Sequence, residues 1–202
     1  MMSVREAIEA RRSIRKFKAD EVPEESIREL LEAARLAPSG SNSQPWRFKI
    51  VKDPVIRALL SEAANGQAFV GSAPVVLACC VSLESYVDDS LRTVREMSEA
   101  RGLTPRMTES MVARMEALRS KPRESLAAGA AFNIGIAGEH VALRAVELGL
   151  GGCWVKAFDE AAARAALGLG EEYFVAALMP LGYPDESPPQ RRRRSLEEIL
   201  LP

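Results

Sequence analysis

The sequence predicts one compact domain that contains both helices and strands, in an order that does not alternate regularly. The chain has 202 residues, of which 47% are hydrophobic. That is enough to bury a core within one chain or to complete a core shared by two copies. Apolar runs typical of strands occur at residues 46–51, 73–81 and 173–181, and segments with helical spacing of apolar residues separate them. The sequence contains no internal repeat and no flexible linker.

Three helix-start signals occur in the first third of the chain. They are a Ser3–Glu6 capping box, Pro23 followed by two glutamates, and Asp53 before a proline. Apolar residues at helical spacing follow each signal. We therefore expect one helix from about residue 4 to the double arginine, a second that Pro38 stops, and a third that ends near residue 64. A polar loop should then occupy residues 38–45, ahead of the first strand.

The middle of the chain predicts two different kinds of helix. Residues 84–121 are charged and methionine-rich at helical spacing, with a break at 102–105. We expect a helical excursion outside the sheet there, placed so that it could cover a pocket. Residues 124–148 carry many alanines and glycines, which predicts a long central helix that packs closely on its neighbours or on a partner.

The last part of the chain alternates strand and helix before a basic tail. A short strand is expected at 152–157, a helix from Asp159 to about residue 168, and a buried strand at 173–181. The tail at about 184–202 is proline-rich and basic and ends in apolar residues. It is too apolar to stay free in water, so we expect it to pack on a partner subunit.

Charge and cysteine content exclude several functions. Lys plus Arg number 27 and Asp plus Glu 28, for a net charge of −1, so no overall field attracts nucleic acid or an anionic membrane. Cys79, Cys80 and Cys153 lack metal-ligand spacing, and we interpret them as reduced core thiols. We expect no metal site. The N-terminal segment resembles neither a secretory signal nor an anchor, which favours a cytoplasmic protein.

The segment RRSIRKF is the first candidate for binding an anion. Arg11, Ser13 and Arg15 alternate along it, so an extended chain would point two guanidinium groups and a hydroxyl to one side, as a phosphate monoester requires. A solvated charge run that complements the end of the first helix is the alternative. The run Arg191–Arg194 could likewise be a nucleic-acid patch, but the slightly acidic chain without interleaved aromatic residues disfavours this.

The loop SGSNSQPW is the second candidate. Its short donors and acceptors lie on a path constrained by two prolines, which suits hydrogen bonding to the polar edge of a planar heterocycle, although an ordinary surface loop would look the same. In order, RRSIRKF at 11–17 and APSGSNSQPWRF at 37–48 resemble the nitroreductase family of FMN flavoproteins. The resemblance continues through SAPVVLACC, GLGGCWVKAFD and LGYPDESPPQRRRRSLEEIL, and leaves only about 84–121 unmatched.

This resemblance implies a fold and a set of cofactor contacts. The fold would be an α+β sandwich, with a mixed central sheet flanked by helices, in an intertwined homodimer whose C-terminal extension crosses to the partner. FMN would lie across the interface. The implied contacts from one subunit are Arg11, Arg12, Ser13 and Arg15. The resemblance also implies contacts, without assigning them to a subunit, from the backbone of Lys156 and Ala157 near flavin N5, Gln67 (or less favourably Asn65), Arg191 and Arg193. Those implied from the other subunit are Pro38, Ser39, Gly40, Asn42 and Gln44.

The implied activity is an FMN-dependent oxidoreductase that transfers hydride from NAD(P)H, through flavin N5, to a nitroaromatic or quinone by a ping-pong mechanism, with no protein side chain as base. The alternatives are a specialised flavoprotein of the same fold, of the reductive dehalogenase or flavin-fragmenting type, and a flavin-binding regulatory protein without turnover. Two positions depart from the family pattern. Lys156 stands where many members are acidic, and Ser195 stands where many have proline. If a backbone amide meets N5, the side chain at 156 is free to vary; a cation beside the substrate face would instead favour anionic acceptors.

Overall fold

Four strands form one sheet in the computed structural model, which describes residues 2–201. The strands are β1 (Trp46–Val51), β2 (Val75–Ser82), β3 (Gly151–Gly152) and β4 (Tyr173–Gly182). Their spatial order is β1-β2-β4-β3, and neighbouring strands run antiparallel. A parallel element enters beyond β3, where Ser13 forms a bridge with Gly152. We expected a mixed sheet; among the described residues, this bridge is its only parallel pairing, and the four strands themselves pair antiparallel.

Helices surround this sheet, and most of them begin where the sequence predicts. They are α1 (Val4–Ala10), α2 (Glu24–Arg35), α3 (Pro54–Ala63), α4 (Ala68–Ser72), α5 (Leu83–Arg101), α6 (Pro105–Glu116), α7 (Arg123–Glu147), α8 (Glu160–Ala166) and α9 (Leu196–Ile199). The capping box at Ser3 and the aspartate caps at Asp53 and Asp159 are all formed. The sequence analysis missed two short helices, α4 and α9.

The sheet separates two hydrophobic clusters, as in a sandwich. On one face, Leu77 of β2 packs with residues of α2 and α7. On the other face, Val76 packs with residues of α3 and α8. Because successive strand residues point to opposite faces, Cys79 joins the first cluster and Cys80 the second. Both thiols are free and buried, as is Cys153, and burial raises the pKa of Cys80 to about 12.

Helix α7 crosses the middle of one sheet face. Its length and apolarity would suit a membrane span, but Ala130, Ala137 and Val141 are fully buried in the core. Close packing depends on Gly138, where an added Cβ would lie 2.2 Å from Cη2 of Trp154. The opposite side of α7 is open, and Phe132 there is 72% exposed. The small residues therefore serve close packing on one side, while a second apolar side lacks a cover within the described chain.

We expect Gly138→Ala to destabilise the protein by about 1–3 kcal/mol, the usual cost of overpacking a core. The new methyl group would clash with the rigid indole ring of Trp154. Gly129→Ala is the matched control, because no atom lies within 4 Å of a Cβ at that position of the same helix. The free energy of unfolding of the control should rise by up to about 1 kcal/mol, because alanine has a higher helix propensity than glycine. Urea unfolding at one fixed protein concentration measures both, and equal stability of the two variants would contradict the packing argument.

Candidate functional site

The basic segment after α1 is held as an extended strand at the edge of the sheet. The N–H of Ile14 donates to the carbonyl oxygen of Gly152 at 3.0 Å, next to the bridge between Ser13 and Gly152. The side chain of Ile14 is buried. An extended backbone sends neighbouring side chains to opposite sides, so the burial of Ile14 turns Ser13 and Arg15 away from the core.

The C-terminal tail pairs with the same segment a few residues later. Phe17 forms an antiparallel bridge with Pro184. The N–H of Lys18 donates to the carbonyl of Tyr183 at 2.9 Å, and the N–H of Asp185 donates to the carbonyl of Lys16 at 2.9 Å. The two ends of the chain are thus bonded to one another, and the tail continues from there back towards α1.

This pairing creates a small cleft between the two basic motifs, about 80 Å³ in volume. The residues that line it are Arg11, Arg12, Ser13, Arg15, Pro188, Pro189, Arg191 and Arg193. A larger cavity of about 250 Å³ adjoins it between α7 and β3 and shares Arg11 and Arg12. The structure therefore brings together, within one chain, arginines that lie at opposite ends of the sequence.

The arginines of the cleft differ in how their donors are used. Nη1 of Arg12 donates to the carbonyls of Glu9 and Arg11, so Arg12 closes the end of α1, as the charge-run alternative expects. Nε of Arg11 lies 3.6 Å from a carboxylate oxygen of Glu139, beyond hydrogen-bond distance. The guanidinium of Arg15 lies over the ring of Phe69, 5.6 Å from its centroid. Arg11 and Arg15 therefore retain donors for an anion.

The two candidate amides both reach the turn that follows Lys156. Nδ2 of Asn65 donates to the carbonyl of Ala157 at 3.0 Å, and Nε2 of Gln67 donates to the same carbonyl at 3.1 Å. Gln67 also donates to the carbonyl of Ala64. Both amides therefore bond to the same carbonyl, and this geometry gives neither residue an advantage as a flavin contact.

Lys156 lies where the turn meets the open side of α7. Its ammonium donates to the carbonyl of Ala176 at 3.0 Å, in a cavity of about 350 Å³ whose other lining is largely apolar. Glu139 also lines this cavity and accepts from Nε1 of Trp154 at 3.4 Å. Among the described residues, the N–H groups of Lys156 and Ala157 have no hydrogen-bond partner. The turn therefore offers two free backbone donors beside a fixed positive charge.

The polar loop has a strained backbone and is held in place by hydrogen bonds to α7 and α5. Ser41, Asn42 and Gln44 have φ values of 51°, 52° and 45°, a left-handed conformation that costs a non-glycine residue about 1–2 kcal/mol. The N–H of Gly40 donates to Oδ1 of Asn133 at 3.0 Å, and Thr93 donates to the carbonyl of Ser41. Contacts with α7 and α5 therefore hold a loop that would not keep this shape alone.

In one chain, this loop does not reach the basic cleft. The described lining of the cleft includes none of the predicted loop residues, which are Pro38, Ser39, Gly40, Asn42 and Gln44. Asn133, which anchors the loop, and Ala142, which lines the cavity beside the cleft, are separated by about 13 Å along α7, from the helical rise of about 1.5 Å per residue. Within one chain, the predicted loop contacts thus lie apart from the basic cleft.

Three residues at the cleft escaped the sequence analysis. Phe69 and Glu139 contact arginines of the basic segment, and one carboxylate oxygen of Glu186 accepts from the backbone N–H of Arg15 at 2.5 Å. Phe69 and Glu139 belong to no local motif, and although Glu186 lies in the stretch LGYPDESPPQRRRRSLEEIL, no local spacing there indicates a contact with the basic segment. Cys153 also lines the neighbouring cavity, but burial raises the pKa of its thiol against the opposing effect of Arg15.

Comparisons with known proteins agree on one family. The family model described as the nitroreductase family matches residues 8–183. The NADH dehydrogenase of Thermus thermophilus is 38% identical over 191 residues, covering 95% of this chain and 91% of that protein. A nitroreductase family protein of Streptococcus pneumoniae shares the fold, with a TM-score of 0.79 at 23% identity over 99% of this chain and 100% of the other. An NADPH:FMN oxidoreductase of Vibrio harveyi, solved with NAD+, has a TM-score of 0.76 at 26% identity, covering 98% of this chain and 76% of the other.

Proposed function

Because this chain belongs to the nitroreductase family, we propose that it is an FMN-dependent oxidoreductase that passes a hydride from NADH or NADPH to a nitroaromatic or quinone acceptor. One observation carries the proposal: the cleft in which arginines from both ends of the chain surround Ser13. Such an enzyme needs cytoplasmic NAD(P)H, and three buried free thiols suit that reducing compartment.

The cleft fits the phosphate of FMN. A phosphate monoester is bound best by several guanidinium groups and a hydroxyl in charge-assisted hydrogen bonds. Arg11, Arg191 and Arg193 supply the guanidinium groups and Ser13 the hydroxyl, on the lining of one small cleft. Arg12, which is bonded to the end of α1, contributes charge and holds the segment in place.

The rest of the half-site suits the flavin ring. Bound FMN supplies hydride acceptance and donation at N5, the chemistry that amino-acid side chains lack. The free N–H groups of Lys156 and Ala157 would hold the ring near N5, and Gln67 or Asn65 would meet its polar edge. Arg15, steadied by Phe69, would stabilise negative charge at the pyrimidine end. No side chain has to act as a base.

We infer that the active form is a homodimer, because one chain leaves both the site and the surface incomplete. The strained loop lies away from the cleft of its own chain and would complete the cleft of a partner. Phe132 on α7 is 72% exposed, and four apolar residues of the tail, Leu196, Ile199, Leu200 and Leu201, are 61–93% exposed. Ile50 on β1, the edge strand of the sheet, is also exposed, and it offers an edge to the partner's tail.

The proposed function predicts a yellow protein that releases FMN on denaturation. Under anaerobic conditions, NADH or NADPH should bleach the flavin absorbance, and a quinone or nitroarene should restore it. The two substrates would use the same face of the flavin in turn. Double-reciprocal plots of initial rate against one substrate, at several fixed concentrations of the other, should therefore give parallel lines. Stopped-flow absorbance and steady-state kinetics measure these effects. A colourless protein that cannot take up FMN would sink the proposal, and intersecting lines would exclude the ping-pong order.

We expect Phe132→Glu to separate the dimer and to cost FMN retention without unfolding the chain. The new carboxylate would be placed in an apolar contact, whereas in the free chain it stays in water. Met107→Glu is the matched control, since Met107 is an exposed apolar residue on a different helix, α6. Light scattering after gel filtration gives the mass, and circular dichroism checks the fold. A Phe132→Glu protein that remains dimeric and yellow would contradict this interface.

We expect Lys156→Glu to shift acceptor preference away from anions. The ammonium is held in one place by Ala176, so a carboxylate-bearing acceptor would meet a fixed positive charge. The ratio of kcat/KM for nitrobenzoate to that for nitrobenzamide should fall about tenfold, which corresponds to about 1.4 kcal/mol. Lys156→Gln removes the charge without reversing it, so its ratio should lie between those of the original protein and Lys156→Glu. An unchanged ratio in both variants would refute a role of Lys156 in selecting acceptors.

A further inference from the structure

Glu186 places a carboxylate inside a cluster of arginines. Its Oε1 accepts from two consecutive backbone groups, the N–H of Arg15 at 2.5 Å and the N–H of Lys16 at 3.1 Å. Two adjacent N–H groups that point at one oxygen make a small anion site of the kind that phosphates occupy. The protein fills this site with its own side chain, which requires an explanation in a region otherwise built to attract anions.

The position of Glu186 along the tail supplies that explanation. Backbone pairing between the tail and the basic segment ends at the bond from Asp185 to Lys16. From residue 187 to the start of α9, no backbone hydrogen bond ties the described tail to the rest of the chain. Yet Arg191 and Arg193 in this stretch line the cleft opposite Arg11 and Arg15. The side chain of Glu186 is therefore the last fixed point before these two arginines.

Two effects of this carboxylate on a bound phosphate oppose one another. Its charge repels the phosphate, but the residue is only partly buried, and solvent weakens such repulsion. Its two charge-assisted hydrogen bonds fix where the tail leaves the basic segment, which lowers the conformational entropy that the arginines lose when they close on a phosphate. The geometry favours the second effect, because both bonds join the tail directly to the segment that carries Arg15.

We propose that Glu186 is a positioning residue for phosphate recognition: it fastens the tail to the backbone of Arg15 and Lys16, so that Arg191 and Arg193 are held across the cleft. This inference rests on the proposed function, since FMN is the phosphate ester that the cleft would bind. It assigns a specific share of FMN affinity to a carboxylate that need not contact FMN itself.

The test compares FMN with riboflavin, which has the same ring and no phosphate. In Glu186→Ala, the Kd for FMN should rise about tenfold, a change of about 1.4 kcal/mol, while the Kd for riboflavin should change less than about twofold. Glu186→Gln should stay close to the original protein for both ligands, because its amide oxygen can accept from the same two N–H groups. Quenching of flavin fluorescence on binding measures all of these constants.

Two further measurements separate positioning from a general structural effect. Hydrogen exchange of the amides of Arg15 and Lys16 should accelerate in Glu186→Ala and not in Glu186→Gln. In an Arg191→Gln/Arg193→Gln background, Glu186→Ala should no longer weaken FMN binding, because the arginines that it positions are gone.

The outcomes are distinct. If Glu186→Ala binds FMN more tightly, the carboxylate is a competitor of the phosphate and the proposal is wrong. Equal losses for FMN and riboflavin, or an undiminished effect in the double-arginine background, would also overturn it. If the unaltered protein binds neither flavin, the proposed function fails and this inference fails with it. If the unaltered protein binds FMN and Glu186→Ala changes nothing, only this inference fails.

Discussion

The hydrogen bond from Ile14 to Gly152 is the contact on which the arrangement of the site depends. It adds the segment after α1 to the edge of the sheet as a short parallel strand. The approach is close enough that a Cβ at Gly152 would lie 2.8 Å from the carbonyl oxygen of Pro180, so only glycine allows β3 to fit between its two neighbours. Once Ile14 is buried, its neighbours Ser13 and Arg15 must face outwards.

This pairing also explains how a chain with a net charge of −1 can concentrate positive charge. The arginines come from the two ends of the sequence. Backbone pairing at the edge of the sheet brings these two segments together. Mutual repulsion of the guanidinium groups is offset locally, by Glu186 on the backbone of the basic segment and by Glu139 near Arg11. The electrostatic character of the site is thus a consequence of strand pairing and not of composition.

The features that sequence reasoning predicted well are those encoded within a few residues. Strand β1 was expected at its observed bounds, and the caps at Ser3, Asp53 and Asp159 mark helices that form, since a cap acts on its own first turn. The resemblance to a family, rather than any spacing, connected Arg11 with Arg193. Glu186 and Phe69 were missed because their partners lie far away in the sequence. Helix α4 was missed because five residues carry too little periodicity to be recognised.

The proposed homodimer gives the strained loop and the open face of α7 one common explanation. Left-handed backbone at Ser41, Asn42 and Gln44 costs free energy, and Asn133 of α7 contributes a buried hydrogen bond that holds the loop. The same helix leaves Phe132 in water one residue away. In the proposed homodimer, a second copy would cover the ring of Phe132, and the loop held by the same helix would complete the partner's cleft. Formation of the dimer would then bury the exposed face of α7 and complete the site in one step.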